Sequence, residues 1–357
     1  MTSAPVSAAT PPRVVLVTGV SRYLGAQVAA RLAADPRIER VIGLDDREPT
    51  GQQAAVLGDT VEFERADICT SEPARVITGR RVEAVVHLDI ASGAGTQPGG
   101  RAAMKEQNVI GTMQLLAACQ RAPELRKIVV RSSTAAYGAS FRDPAVFTED
   151  TEPREIPRGG FARDVLDIEG YVRGFRRRRP EVAATVLRFA PLIGRHANTT
   201  LTRYFSSPIV PTVLGRDPRL QFVHVDDALE VLHRSVLEAH PGTFNVAGAG
   251  VITLSQAVRR AGRIALPVPE RGMSALSRSG GGLGTTVSLD QLDLFVHGRV
   301  VDTTALIDEF RYTPRPTAVA FADFLRGTGS VLPGEAIKAL EQTILAGIRQ
   351  GRAALGR

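Results

Sequence analysis

The residues whose types and spacing could do chemistry begin with Thr18, Gly19, Arg22, Tyr23, Leu24 and Gly25. The aliphatic run 14–17 ends in Thr18-Gly19, and Leu24, Val28 and Leu32 then recur at helical spacing, so a buried strand feeds a helix. Such a turn can bind a pyrophosphate. Gly19 lets the chain turn tightly, Gly25 lets the helix pack close to the sheet, and the helix N-terminus offers N–H groups to an anion. The middle glycine of the spacing, where backbone approaches phosphate, is replaced by Arg22. About 20 residues on, the second strand, 41–45, ends in Asp45, a carboxylate that suits the two ribose hydroxyls of NAD. Glycine-rich strand-to-helix turns also occur with nothing bound, so a cofactor site and a merely structural half of a Rossmann fold are both open here; Asp45 favours the first.

The elements that must position these groups follow in order. A third strand is expected at 61–67, ending in Asp67, which could reach an adenine edge; a helix follows at roughly 70–80 and a fourth strand at 84–89. Residues 91–100 form a Gly/Ser/Pro loop, and 102–119 carry apolar residues at helical spacing. Asn108 sits inside that helix, where asparagine is unfavourable, so it either faces solvent or hydrogen-bonds something specific. The fifth strand, Lys127 to Ser133, runs into Ser132-Ser133-Thr134-Ala135-Ala136-Tyr137-Gly138. This alternation implies an α/β fold, a doubly wound (Rossmann) parallel sheet, with a smaller C-terminal α+β substrate lobe beyond about residue 195.

Composition narrows the function classes. The net charge of +7 is carried by arginine, the lysines being Lys105, Lys127 and Lys338, and no aromatic-basic interleaving or nucleic-acid motif accompanies it. Anionic nucleotide ligands account for part of that charge. The run Arg176-Arg177-Arg178-Arg179-Pro180 reads as the solvated end of a helix, where cations complement the dipole. No apolar run approaches the ~20 residues of a membrane span, and residues 1–12 read as a disordered leader, so a cytoplasmic location is expected. Cys69 and Cys119 show neither disulfide nor metal-ligand spacing, and His87 and His224, isolated on apolar strands, read as hydrogen-bonded core imidazoles. Residues 276–286 look like a loop, and Ile337, Leu340, Ile344 and Ile348 form an apolar stripe on a helical tail within 331–357 that docks on something.

Taken together, these stretches resemble the NAD-dependent epimerase/dehydratase family of extended short-chain dehydrogenases/reductases, most like an atypical group related to UDP-glucose 4-epimerase. The resemblance is carried by Thr18, Gly19 and Gly25, by Asp45, Asp67-Ile68 and Val86-His87-Leu88, by Asn108-Val109-Ile110-Gly111-Thr112, and by Ser133 four residues before Tyr137-Gly138. Leu187-Arg188-Phe189, 222–227, 243–246 and 301–304 with Pro314 are similarly placed to family landmarks. It implies NAD as cofactor, a nucleotide-sugar as ligand, a homodimer as a candidate assembly, and division into a cofactor domain at 13–195 and a substrate-type lobe at 196–330. Thr18, Gly19, Arg22, Tyr23, Leu24, Gly25, Asp45, Asp67, Ile68, Leu88, Asp89, Asn108 and Ser132 are the implied cofactor-side residues, and Ser133 the surviving catalytic hydroxyl.

The family's chemistry needs a tyrosine to shuttle a proton and, four residues on along one helix face, a lysine to lower its pKa and bind ribose. Aligning Glu169 with the acid that follows that motif puts Phe161 at the tyrosine and Val165 at the lysine, and no lysine lies between Lys127 and Lys338 to rescue another register. Asp89 stands where the family has a small residue, and would be repelled by pyrophosphate unless Arg22 or another cation pairs with it. Pro191 stands where relatives carry a substrate-binding asparagine. Arg163 and Asp164, adjacent on the helix, read as surface or interface charges rather than a substitute pair; Arg203, Arg216 and Arg219 are the cations available to a sugar nucleotide. The favoured reading is an NAD-binding scaffold or sensor with its catalytic pair lost. A working epimerase or oxidoreductase using Ser133 with substrate hydroxyls or water is the alternative, and a structural protein that has abandoned NAD is the third.

Overall fold

The computed structural model describes residues 10–92, 100–157, 160–272 and 289–328; the start of the leader, the loop read at 276–286 and the tail stripe lie outside these. The central sheet is built from β1 (Val14–Thr18), β2 (Arg40–Asp45), β3 (Glu62–Arg65), β4 (Ala84–His87), β5 (Lys127–Ser133) and β6 (Ala183–Phe189). Four short strands follow, β7 (Leu192–Ile193), β8 (Ile209–Val213), β9 (Arg219–Leu220) and β10 (Val223–His224), before β11 (Gly242–Val246) rejoins the main sheet. Its order is β11-β6-β5-β4-β1-β2-β3 and every pairing is parallel. The chain leaves β1 outward through β2 and β3, then crosses back to β4 and runs the other way. A crevice therefore opens at the carboxyl ends of β1 and β4, the switch point of a doubly wound sheet.

Helices cover both faces because the central strands are apolar on both. On one face α1 (Tyr23–Ala33) and α8 (Val225–Leu237) bury Val28, Leu32, Ala228 and Leu232 against Val15 and Val17. On the other, α3 (Glu72–Gly79), α5 (Thr112–Gln120) and α6 (Gly160–Arg178) cover Leu16, Val85 and Val130. Phe161, Val165, Ile168, Val172 and Phe175 recur every three or four residues on α6, which is the stripe that docks it. A third apolar cluster, containing Tyr204, Phe205, Phe222, Phe295 and Phe321, fills the C-terminal part, with the Tyr204 and Phe295 rings stacked at 4.3 Å. Among the described residues no helix is long and apolar enough to cross a membrane.

Three features depart from the sequence reading. The helix expected at 102–119 is interrupted: α4 (Gly100–Lys105) gives way to a π-helical turn, Glu106–Gly111, before α5. At that turn Gly111 passes so close to Ile68 that a Cβ would stand 2.6 Å from Cδ1, and the Thr112 hydroxyl donates to the Asn108 carbonyl at 2.5 Å. The arginine run is only half solvated. Arg176 donates to the carbonyls of Ala184 and Gly242, while Arg179 Nη1 donates to those of Cys119, Gln120 and Ala122, closing the end of α5; Arg177 and Arg178 face water. Asp164 is no surface charge but fully buried, for reasons that belong to the site.

Gly25 marks where α1 meets the turn after β1: a Cβ there would lie 2.1 Å from the Gly19 carbonyl oxygen. Elsewhere in a helix Gly→Ala gains about 1 kcal/mol, but here overpacking of about 1–3 kcal/mol or more should reverse the sign. Gly25→Ala is expected to lower the melting temperature in a thermal scan, whereas Gly174→Ala, with open space around it on α6, should not.

Candidate functional site

The cleft is assembled from strand ends. Gly19, at φ +78°, turns the chain where β1 stops, and its N–H donates to the Leu44 carbonyl. Arg22 takes the N-cap position of α1 in extended backbone, φ −100° and ψ 155°, a conformation any residue adopts, which is why a side chain is tolerated where glycine was expected. It caps nothing with its side chain, and the first turn of α1 holds no acid that could take the N-terminal amides of Tyr23, Leu24 and Gly25. Asp45, buried at the end of β2, accepts from Ser21 N and Oγ at 2.9 and 2.7 Å and from Arg47 N at 3.2 Å. A carboxylate offers about four acceptor positions, and these bonds take three of them.

Behind the strands a buried polar row fixes the spacing. His87 bridges Thr18 Oγ1 and Thr112 Oγ1, each at 2.9 Å, and burial with the nearby Arg22 and Arg131 charges holds its pKa down to about 3, so it is neutral and structural. The N–H of Leu88 donates to Thr18 Oγ1 at 3.1 Å. Asp89 is buried, pairs with Arg22 at 3.2 Å and accepts from Gln107 Nε2 at 2.7 Å, so the cation required beside that carboxylate is present. Asn108 is fully buried and engages Ala91 through both amide atoms, 2.8 and 2.9 Å, while its Nδ2 also donates to Asp164 Oδ2 at 3.0 Å. Asp164 in turn takes two bonds from Arg101, at 2.7 and 2.5 Å. Asn108, Leu88 and Ile68 thus act from behind the cleft, whereas Asp67 is exposed at the end of β3 and accepts from Cys69 N.

Two connected hollows lie over these strand ends. The outer one, about 300 Å³, is lined by Arg22, Tyr23, Leu24, Ile90, Ala91, Asn198, Arg203 and Val225 among others. The inner one, about 140 Å³, is lined by Ser132, Ser133, Thr134, Phe161, Phe189, Pro191, Leu201, Leu294 and Arg299. Ser92, Arg131, Leu192, Thr199 and Thr200 belong to both. The segment from Thr199 thus lines both hollows, with α7 (Thr200–Ser206) capped by the Thr199 hydroxyl. Arg216 and Arg219 are not beside Arg203: they line a separate hollow with Phe141, Asp217 and His297, where the Arg216 guanidinium sits 4.5 Å above the Phe141 ring.

Beneath the inner pocket, Ser132 Oγ donates to Glu169 Oε1 at 2.5 Å and Glu169 is held by Arg188 at 2.9 and 2.7 Å. Arg188 also donates to the Tyr137 hydroxyl, which donates to Asn245 Oδ1 at 2.7 Å. Ser133 Oγ accepts from Ala135 N at 3.2 Å, leaving its own proton available to the pocket. Lys127, the lysine preceding α6, is not a substitute base: its ammonium donates to the Val236 and Glu238 carbonyls past the end of α8. Cys69 and Cys119 are pushed up to about 12 by burial and stay protonated, and His224 is tied to Asp226 N and Asp323. No group of His, Cys, Asp and Glu among the described residues could hold a metal. Sequence reasoning missed Ser21, Gln107, Arg101 and Arg131; a hydroxyl inside the glycine turn was the one signal available for the first.

With this geometry in view, the comparisons with known proteins are direct. Residues 15–247 match the NAD dependent epimerase/dehydratase family, and the chain belongs to that family. It is 48% identical over 320 residues to an uncharacterized protein of Mycobacterium tuberculosis, covering 89% of this chain and 85% of that one. Its fold is similar to that of a UDP-glucose 4-epimerase from Thermotoga maritima solved with UDP-glucose (TM-score 0.69, 18% identity, 88% of this chain and 98% of that one). It is likewise similar to the dTDP-glucose 4,6-dehydratase DesIV of Streptomyces venezuelae solved with NAD (TM-score 0.67, 20% identity, 88% and 96% covered).

Burial raises the Asp89 carboxyl above its ordinary range, with Arg22 opposing that rise. A carboxyl whose folded pKa is raised subtracts stability as pH climbs through its unfolded value of about 4, and subtracts nothing well below it. Asp89→Asn keeps the acceptor for Gln107 and should raise the melting temperature at pH 7. Repeating the scan at pH 3.5 should show the gain largely gone.

Proposed function

We propose that this protein binds NAD(H) in the outer hollow and a nucleotide-sugar beyond it, and acts as a cofactor-binding scaffold or sensor whose acid-base pair is lost. The observation that carries the reading is the α6 wall: Phe161 lines the inner pocket with Ser133, and Val165, one turn on, is fully buried. A phenyl ring has no proton to shuttle and an isopropyl group no charge. The linings of both hollows contain, among the described residues, no His, Lys, Asp or Glu; their one phenol is Tyr23, whose pKa burial and Asp226 raise further.

The residues fit the dinucleotide. The Gly19–Gly25 contact leaves no room for side chains where the pyrophosphate would meet the amides of α1, Arg22 would neutralise it, and Asp45 would take the ribose. Solved relatives that hold NAD or a UDP-sugar support both ligands. Bound NAD supplies a hydride acceptor and donor; Ser133 would orient a sugar oxygen, with nothing beside it to take the proton. The same reading assigns 13–195 to the cofactor, 196–330 to the sugar nucleotide and the protein to the cytoplasm. The free proton of Ser133 favours one second reading, an active epimerase that moves protons through this hydroxyl and substrate or water.

Calorimetric titration should show NAD(H) binding more tightly than NADP(H), because Asp45 would repel a 2′-phosphate; equal affinities would refute the assignment of Asp45. Turnover of UDP- or dTDP-sugars by the protein saturated with NAD should be lower than that of a typical epimerase by at least about 10²–10⁴, the usual contribution of a general acid-base. Phe161→Tyr alone should restore little, since Val165 packs in the core where a lysine has no space. Robust turnover by the unmodified protein, lost in Ser133→Ala, establishes the second reading instead.

A further inference from the structure

We propose that the inner pocket is built for a sugar that carries a carboxylate, a uronate, and that Arg131 selects it; the inference rests on the nucleotide-sugar reading above. Arg131, two residues before the end of β5, stands where the two hollows meet. It is half-buried and makes one hydrogen bond, Nη1 to the Ile90 carbonyl at 2.9 Å, and among the described residues no carboxylate lies within ion-pair distance of it. The contrast with its neighbours is sharp. Arg22 has Asp89, Arg101 has Asp164 and Arg188 has Glu169. A guanidinium carries five donors, and a charge drawn out of water is ordinarily paired. Burial, then the Arg22 charge, draws its pKa down to about 10, which still leaves it a cation at neutral pH.

The cofactor's pyrophosphate is a poor candidate for the missing anion. It belongs at the amides of α1 above β1, and β5 lies two strands away across β4, roughly 10 Å at about 4.8 Å per strand. What adjoins Arg131 on the far side is Ser133, Phe161 and Leu192, the substrate end. Arg299 also lines that pocket, and among the described residues no acid does. A neutral hexose would satisfy the hydroxyls of Ser133, Thr199 and Thr200 but leave Arg131 desolvated opposite no charge. A uronate supplies that charge in a planar, fork-matching form.

Calorimetry on protein saturated with NAD, titrated with UDP-glucuronate and with UDP-glucose at one ionic strength, tests this. The uronate should bind about tenfold or more tightly, Arg131→Gln should erase that ratio, and Arg131→Lys, which keeps the charge without the fork, should retain part of it. Equal affinities in the unmodified protein, or a preference that survives Arg131→Gln, overturns the inference. So does a loss in Arg131→Gln that is the same for both sugars, the mark of a pyrophosphate contact. Binding of neither sugar overturns the nucleotide-sugar reading, and this inference with it.

Discussion

The approach of α1 to the end of β1 is the constraint on which the rest depends. With only 2.1 Å between the Gly19 oxygen and any methyl group at Gly25, the helix can sit where its first amides look along the crevice edge. The same closeness puts Ser21 within reach of Asp45, so the glycine turn and the end of β2 are tied by short bonds, and it brings the Asp89 backbone against Gly19. Arg22 is compatible with all of this because its backbone is extended. Its side chain then pairs with the buried Asp89 carboxylate beside the turn.

Charge in the cleft is organised by burial. Buried ion pairs add little net stability relative to apolar packing, yet removing one partner costs about 3–5 kcal/mol, so such pairs fix position rather than hold the fold together. Arg101 and Asp164 fix the start of α6 against the segment after β4 by way of Asn108, and Glu169 with Arg188 fixes the floor under Ser132. Helix α6 is thereby pinned at its start and again near its middle, with Phe161 on the side that lines the inner pocket.

Much of this was legible in the chain. Strand-to-helix alternation, the glycine turn and Asp45 define the doubly wound sheet, because apolar periodicity and backbone sterics are local properties. The imidazole of His87 was readable for the same reason: an isolated histidine on an apolar strand has to find partners. What was not legible came from distant contacts. Asp164 looks like a surface acid beside Arg163, and only the fold brings Arg101, more than 60 residues earlier, to its carboxylate. The π-helical turn was equally hidden, since its apolar residues keep helical spacing and the widening answers to Ile68 on another element. Arg176 and Arg179 differ from Arg177 and Arg178 in nothing but which way the helix turns them.

The chain of bonds from Ser132 through Glu169, Arg188 and Tyr137 ends on Asn245, in a strand that rejoins the main sheet only after the excursion through β7 to β10. Asn245 also stands opposite Arg188 in the pairing of β11 with β6. Opening the C-terminal part would strip β11 from β6 and leave a buried guanidinium–carboxylate pair facing solvent with its phenol unanchored. Local opening there is coupled to loss of the pocket floor, which joins the halves into one cooperative unit rather than two that melt in turn. Hydrogen exchange at the β6 and β11 amides is accordingly bound to the slowest class in the molecule, set by global unfolding even though β11 is an edge.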